Sequence, residues 1–151
     1  MFKKVLVAID GSPHAERALA EAVDLVKSNG GSLTLVGVTP GLAPWMISPG
    51  GMAPPENLGA LQEEMAREFQ GLLDDAAKTV PDDVPTETVV LEGPAAKAIV
   101  SQARKGGHDL VAMGSRGRGE ITSMVLGSTS HAVLHESPVP VLVVHLPADT
   151  N

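Results

Sequence analysis

Residues 3–38 read KKVLVAIDGSPHAERALAEAVDLVKSNGGSLTLVGV, and this stretch decides the fold. Val5 to Ile9 is a continuous apolar run, rich in β-branched residues and bounded by Asp10-Gly11, as expected of a central strand covered by helices on both faces. Ser12 is placed to cap the next helix and Pro13 fits its first turn, because the first N–H groups of a helix need an acceptor and proline lacks one of those N–H groups. Ala15, Leu19, Ala22, Val23 and Val26 then recur at helical spacing until Asn29-Gly30-Gly31 stops the pattern. Leu33 to Val38 supplies a second strand. Strand, helix and strand in succession form a crossover unit, and such crossovers are right-handed.

The alternation continues along the chain. Leu58, Leu61, Met65, Phe69, Leu72 and Ala76 mark a long amphipathic helix, with Glu63 and Arg67 spaced as a surface pair. Thr86 to Leu91 reads as a third strand, Gly93-Pro94 opens a helix carrying Ala95, Ile99 and Ala103, and Gly106-Gly107 closes it. Leu110 to Met113 is a fourth strand, a short helix runs to about Glu136, and Val139 to Val144 is a fifth. Five strands alternating with helices predict an α/β fold with an open, mostly parallel sheet. The 151 residues suit one domain, 1–151, and the 43% apolar share with only 2% aromatics suits close packing of helix on sheet.

Charge and composition remove several classes of function. With 18 acidic against 11 basic side chains the net charge is −7, so no general attraction to nucleic acid or to an anionic membrane is expected. Any affinity for phosphate must be local. The chain has no cysteine, which excludes disulfides, thiol chemistry and thiolate metal sites. Lys3 and Lys4 precede an apolar run too short for a signal core, and no transmembrane stretch occurs, so cytoplasmic residence is the expectation.

Local phosphate affinity has a candidate at residues 114–133, GSRGRGEITSMVLGSTSHAV. Gly114 and Gly117 stand three apart, nine residues follow, and Gly127 comes directly before Ser128. Backbone approaches a phosphate closely where no Cβ intrudes, and glycine reaches positive φ, which aims successive N–H groups inward. The start of a helix at Gly127-Ser128-Thr129-Ser130 adds unsatisfied N–H groups and partial positive charge. Glycine-rich strand-to-helix turns also serve packing alone, and that reading stands beside the phosphate one.

The Gly-x2-Gly-x9-Gly-Ser spacing resembles the signature of the ATP-binding branch of the universal stress protein family, and VLVAIDGSPHAERAL, GPAAKAIVSQARKGGHDLVAMGSRGRG and SPVPVLVV are similar to that family as well. The resemblance implies a Rossmann-like sheet of the adenine nucleotide alpha-hydrolase type, with strand order 3-2-1-4-5. Ligands of such sheets lie beyond the carboxyl ends of the strands where the order reverses. Here that is between Asp10 and Gly114. By the same resemblance Ala8 and Val38 line an adenine, the Val38 backbone donates and accepts, and Met113 adds an apolar wall. It also implies ATP with Mg²⁺ as ligand, a role in stress response and a homodimer.

The residues themselves offer further chemistry. Asp10 suits a ribose hydroxyl or a Mg²⁺ bridging phosphates, or else satisfies N–H groups at the start of the first helix. Arg116 and Arg118 flank Gly117, where Arg116 is the stronger candidate for phosphate charge. Ser128, Thr129 and Ser130 offer hydroxyls and backbone N–H groups to outer phosphates or cap the last helix. No Gly-x4-Gly-Lys-Ser/Thr, no Gly-x-Gly-x-x-Gly after the first strand and no Gly-x-Ser-x-Gly elbow is present, which weakens P-loop, dinucleotide and hydrolase-triad readings. His131 and His135 stand four apart, but the pair lacks the third ligand of a usual zinc site.

Three functions therefore compete: an ATP-binding stress regulator with slow or no hydrolysis and no catalytic residue, an ATP hydrolase or phosphotransferase using Asp10, and a nucleotide-free dimeric interaction protein. Residues 39–58 hold five of the twelve prolines with Trp45, Met46, Ile47 and Met52, and read as a mobile lid on the ligand side. Val139 to Val144 is apolar on both faces although it is the sheet's last strand. Pairing with the same strand of a second molecule would complete it.

Overall fold

In the computed structural model, which describes residues 1–41, 55–117 and 126–146, Lys4–Ala8 forms β1 at the centre of the sheet. The elements that follow are α1 (Pro13–Asn29), β2 (Ser32–Thr39), α2 (Pro55–Lys78), β3 (Thr86–Glu92), α3 (Ala95–Lys105), β4 (Leu110–Gly114), α4 (Ser128–Glu136) and β5 (Val141–Val144). The sheet has five strands in the order β3-β2-β1-β4-β5, and every neighbouring pair is parallel. This is the expected order. Residues 42–54, which hold most of the proline-rich segment and its Trp45, lie outside the described residues, as does Arg118.

Two apolar layers explain why β1 reads as an unbroken run. On one face Val5, Val7, Leu35 and Ala112 pack with Leu19, Ala22 and Val26 of α1 and Leu73 of α2. On the other, Leu6, Val36, Val111 and Met113 meet Ile99 and Ala103 of α3 and Val133 of α4. Val5, Leu6 and Val7 are each wholly buried, so the three middle positions of this strand leave no room for a polar side chain. α1 begins as its sequence predicts: the Ala15 N–H donates to Ser12 Oγ at 3.2 Å. It ends at Gly30, whose φ of 67° is the left-handed conformation that glycine adopts without a Cβ penalty.

β5 is shorter than its apolar run. Ser137 Oγ donates to the Val139 carbonyl at 2.7 Å and accepts from the Val139 N–H at 3.2 Å, so a tight turn takes up the polar groups of Val139 and pairing with β4 starts at Val141. Val139 and Val141 also pack onto the α3–α4 layer, and Leu142 onto the other. These three side chains are thus partly covered within one chain. Among the described residues no further strand of the sheet pairs with the outward backbone groups of β5.

At the opposite end, the Asp109 carboxylate accepts from the N–H groups of Lys3 at 2.9 Å and Lys4 at 3.1 Å, tying the start of β1 to the start of β4. His108 is buried beside it, with Nε2 2.9 Å from Thr34 Oγ1. Because the Thr34 hydroxyl donates to Glu87 Oε1 at 3.0 Å, its oxygen is left to accept and His108 carries the proton on Nε2.

Candidate functional site

The strand order reverses between β1 and β4. Past β1 the chain turns through Asp10 and Gly11 into α1 on one face, whereas past β4 it leads to α4 on the other, and the two departures leave a crevice above the central pair. Gly11 has φ of 83°, a conformation open mainly to glycine. It folds the turn so that the Ser12 N–H donates to Asp10 Oδ1 at 2.9 Å.

A cavity of about 170 Å³ opens in this crevice. Ala8, Val38 and Met113 form an apolar wall, and Asp10, Gly114, Arg116, Gly117, Thr129 and Ser130 form a polar one. Gly127 and Ser128 are not part of the lining. The Gly127 N–H donates to the Ser115 carbonyl at 2.6 Å and Ser128 is exposed on the first turn of α4. Ser130 Oγ donates to the Gly114 carbonyl at 2.7 Å, fastening that turn to the end of β4. Gly127 occupies the N-cap of α4 with no side-chain cap, so the N-terminal N–H groups of this helix are not satisfied by a capping oxygen of their own.

Gly114 and Gly117 serve space rather than positive φ, which corrects the conformational half of the sequence argument. Positive φ among the described glycines occurs only at Gly11, Gly30, Gly93 and Gly107. A Cβ on Gly114 would stand 2.5 Å from Cβ of His14, in the first turn of α1. A Cβ on Gly117 would stand 2.7 Å from Asp10 Oδ2. Gly114 therefore admits a helix, which is the packing reading, whereas Gly117 admits the Asp10 carboxylate close to the backbone on the cavity wall.

Charge at the site is mixed. Arg116 and Asp10 line the same cavity, and the N-termini of α1 and α4 add partial positive charge. His14 sits beside them with a buried Nε2 that has no hydrogen-bond partner. Burial first, then the Arg116 guanidinium and His145, hold its pKa below the ordinary histidine value, against the pull of Asp10. Asp10 is a hard oxygen donor, the ligand type Mg²⁺ takes, commonly one or two carboxylates beside phosphates and water. Among the described residues no group of three or more His, Asp or Glu side chains is placed to hold a metal by itself. His131 and His135 meet edge to face with ring centroids 4.7 Å apart, without a third ligand.

Several wall residues escaped the sequence reading: Ile9, Ala15, Val36, Phe69, Ala95 and Ile99. For Phe69 a signal exists. Gly37 interrupts β2, and a Cβ there would stand 3.0 Å from the Phe69 ring; a glycine inside a strand marks such a close approach.

The sequence pattern of the Universal stress protein family matches residues 1–145. The chain belongs to that family. It is 35% identical over 147 residues to universal stress protein YxiE of Bacillus subtilis, covering 95% of this chain and 99% of that one. The solved structure of hypothetical protein MJ0577 superposes with a TM-score of 0.84 at 25% identity, over 99% of both chains. The same fold occurs in a universal stress protein solved in complex with cAMP (TM-score 0.61, 22% identity, 97% of this chain and 99% of that one). It occurs again in an Arabidopsis thaliana family member with AMP bound (TM-score 0.58, 19% identity, 98% and 94%). Among the described residues, no helix is long and apolar enough to cross a membrane.

Proposed function

We propose that the protein is an ATP-binding regulator of the stress response, holding Mg-ATP as a single nucleotide-binding domain with slow or no hydrolysis. The observation that carries this reading is a cavity that joins an apolar wall of Ala8, Val38 and Met113 to Asp10, Arg116, Gly117 and the first turn of α4. Its volume lies below the range usual for sites that enclose a whole drug-sized ligand. The base enters and the phosphates run outside, over Gly117 toward the N-terminus of α4, where Ser128 is exposed. Arg116 offsets phosphate charge, and Asp10 Oδ2, facing Gly117, holds the ribose or the Mg²⁺. Bound Mg²⁺ would neutralise charge on the phosphates. Solved proteins of the same fold with AMP and cAMP are in keeping with an adenine ligand.

Hydrolysis would need a base placed to activate water. Asp10 is the nearest carboxylate, but Oδ1 already accepts the Ser12 N–H, which suits an anchor better than a base. The protein acts as a homodimer joined along β5. Mass spectrometry of whatever small molecule co-purifies with the native protein tests the reading: ATP supports it, and a protein that carries no nucleotide and takes up none in calorimetric titration with Mg-ATP overturns it.

A further inference from the structure

Between α1 and α2 runs a groove of about 670 Å³ that the nucleotide reading leaves unused. It arises from the way the helices sit. α1 stands over β1 and β4, and α2 over β2 and β3, so the two part above the middle of the sheet. The floor is apolar, with Ile9, Leu19, Val23, Leu72 and Ala76. The rim is acidic: Glu16 and Asp24 rise from α1 and Asp75 from α2, all exposed, and none of the described residues lining the groove carries positive charge. Lys78 lies 3.7 Å from Asp75, but both side chains are more than three-quarters exposed, and such a pair is largely screened.

An apolar channel between two helices takes the apolar face of a third. From Ser12 to Asp24 the groove follows about 18 Å of α1 at 1.5 Å per residue, the length of a three-turn helix. Its charge selects the occupant. An acidic segment or an anionic lipid surface meets three carboxylates, whereas lysines or arginines flanking an apolar stripe meet complementary charge on both walls. We infer that this groove docks a short basic amphipathic helix of a partner protein. The groove touches the nucleotide cavity at Ile9 and Ala15, but the docking rests on the floor and rim alone and does not require a bound nucleotide.

The experiment uses the full chain without nucleotide and a labelled synthetic Leu/Lys amphipathic helix of about four turns, with a Leu/Glu peptide of the same pattern as comparison. Saturable one-to-one binding of the basic peptide is expected in fluorescence anisotropy, with NMR shifts concentrated at Leu19, Val23 and Leu72. Ala20→Arg, on the exposed lining of the groove, and the pair Asp24→Asn/Asp75→Asn should each weaken it about tenfold or more. The pair Glu63→Gln/Glu64→Gln removes equal charge from exposed positions outside the lining and should leave affinity unchanged. Equal loss in both charge pairs, equal binding of the acidic peptide, shifts elsewhere on the surface, or no binding of the basic peptide would each overturn the inference.

Discussion

The Cβ that Gly117 lacks would lie 2.7 Å from Oδ2 of Asp10. The two residues leave adjacent strands of the sheet, and the carboxylate comes this close to the Gly117 backbone because the glycine has no side chain. Gly117→Val sets a branched carbon directly against the carboxylate. Affinity for Mg-ATP should fall at least about tenfold in calorimetric titration, while circular dichroism stays that of the parent. Unchanged affinity removes Gly117 from the phosphate path.

Gly114 should behave differently. Its missing Cβ is replaced by Cβ of His14 at 2.5 Å and by the His14 backbone at 2.8 Å, so Gly114→Ala forces α1 away from β4. Overpacking of this kind costs about 1–3 kcal/mol. Chemical denaturation should show that loss, and an equally stable variant would mean the helix yields freely.

Acid should weaken the fold through His108. Burial, then the nearby Lys4, hold its pKa below 6.5 despite the opposing influence of the Gln102 and Ala103 carbonyls and Glu87. The unfolded chain therefore binds this proton more readily than the folded one. The sign follows: stability is full above the unfolded pKa and declines as pH falls toward the folded one. Urea midpoints should drop as pH falls below the ordinary histidine value, and His108→Gln should flatten the decline.

Dimerisation along β5 has a backbone test. The Pro140 and Val144 carbonyls accept from Val111 and Ser115 of the β4 side at 3.0 and 2.8 Å, so the polar groups of Val141 and Val143 point outward. Val143→Pro removes an outward N–H and spares the bonds to β4. Light scattering should report a dimer for the parent and a monomer for the variant. Lysine at Val141 is a poorer probe, because Val141 packs on the core.

Turnover should be slow. Incubation with ATP should release little phosphate, and Asp10→Asn should lower affinity and its dependence on Mg²⁺ rather than abolish a fast reaction. Rapid multiple turnover lost in Asp10→Asn moves the protein to the hydrolase class.

The fold was legible because strands such as Val5–Ile9 lose all alternation when both faces are covered, and because Ser12 and Gly30 punctuate α1 where a helix requires it. The polar half of the cavity was legible through Asp10 and the glycine spacing. What glycine does there was not. Spacing cannot distinguish a glycine that admits a helix, Gly114, from one that admits a carboxylate, Gly117. Nor does helical periodicity tell that Phe69 turns toward β2 and the cavity, since the same spacing serves any core contact. The start of β5 was misplaced because apolar character continues through Val139 while Ser137 takes up its polar groups.

The clasp of Asp109 on Lys3 and Lys4 joins residues more than a hundred positions apart. On a ribosome that distance is a waiting time. β1 emerges before the other strands of the sheet, but one of its two neighbours is β4, so the nascent chain carries Leu6 and Val7 with one flank of the central strand open until Leu110 and the residues after it have been made. Non-local pairing of this kind folds slowly and exposes apolar surface meanwhile. Truncated translation products ending before residue 110 should accordingly be captured by chaperones or degraded, whereas chains released past β5 close the sheet in one concerted step.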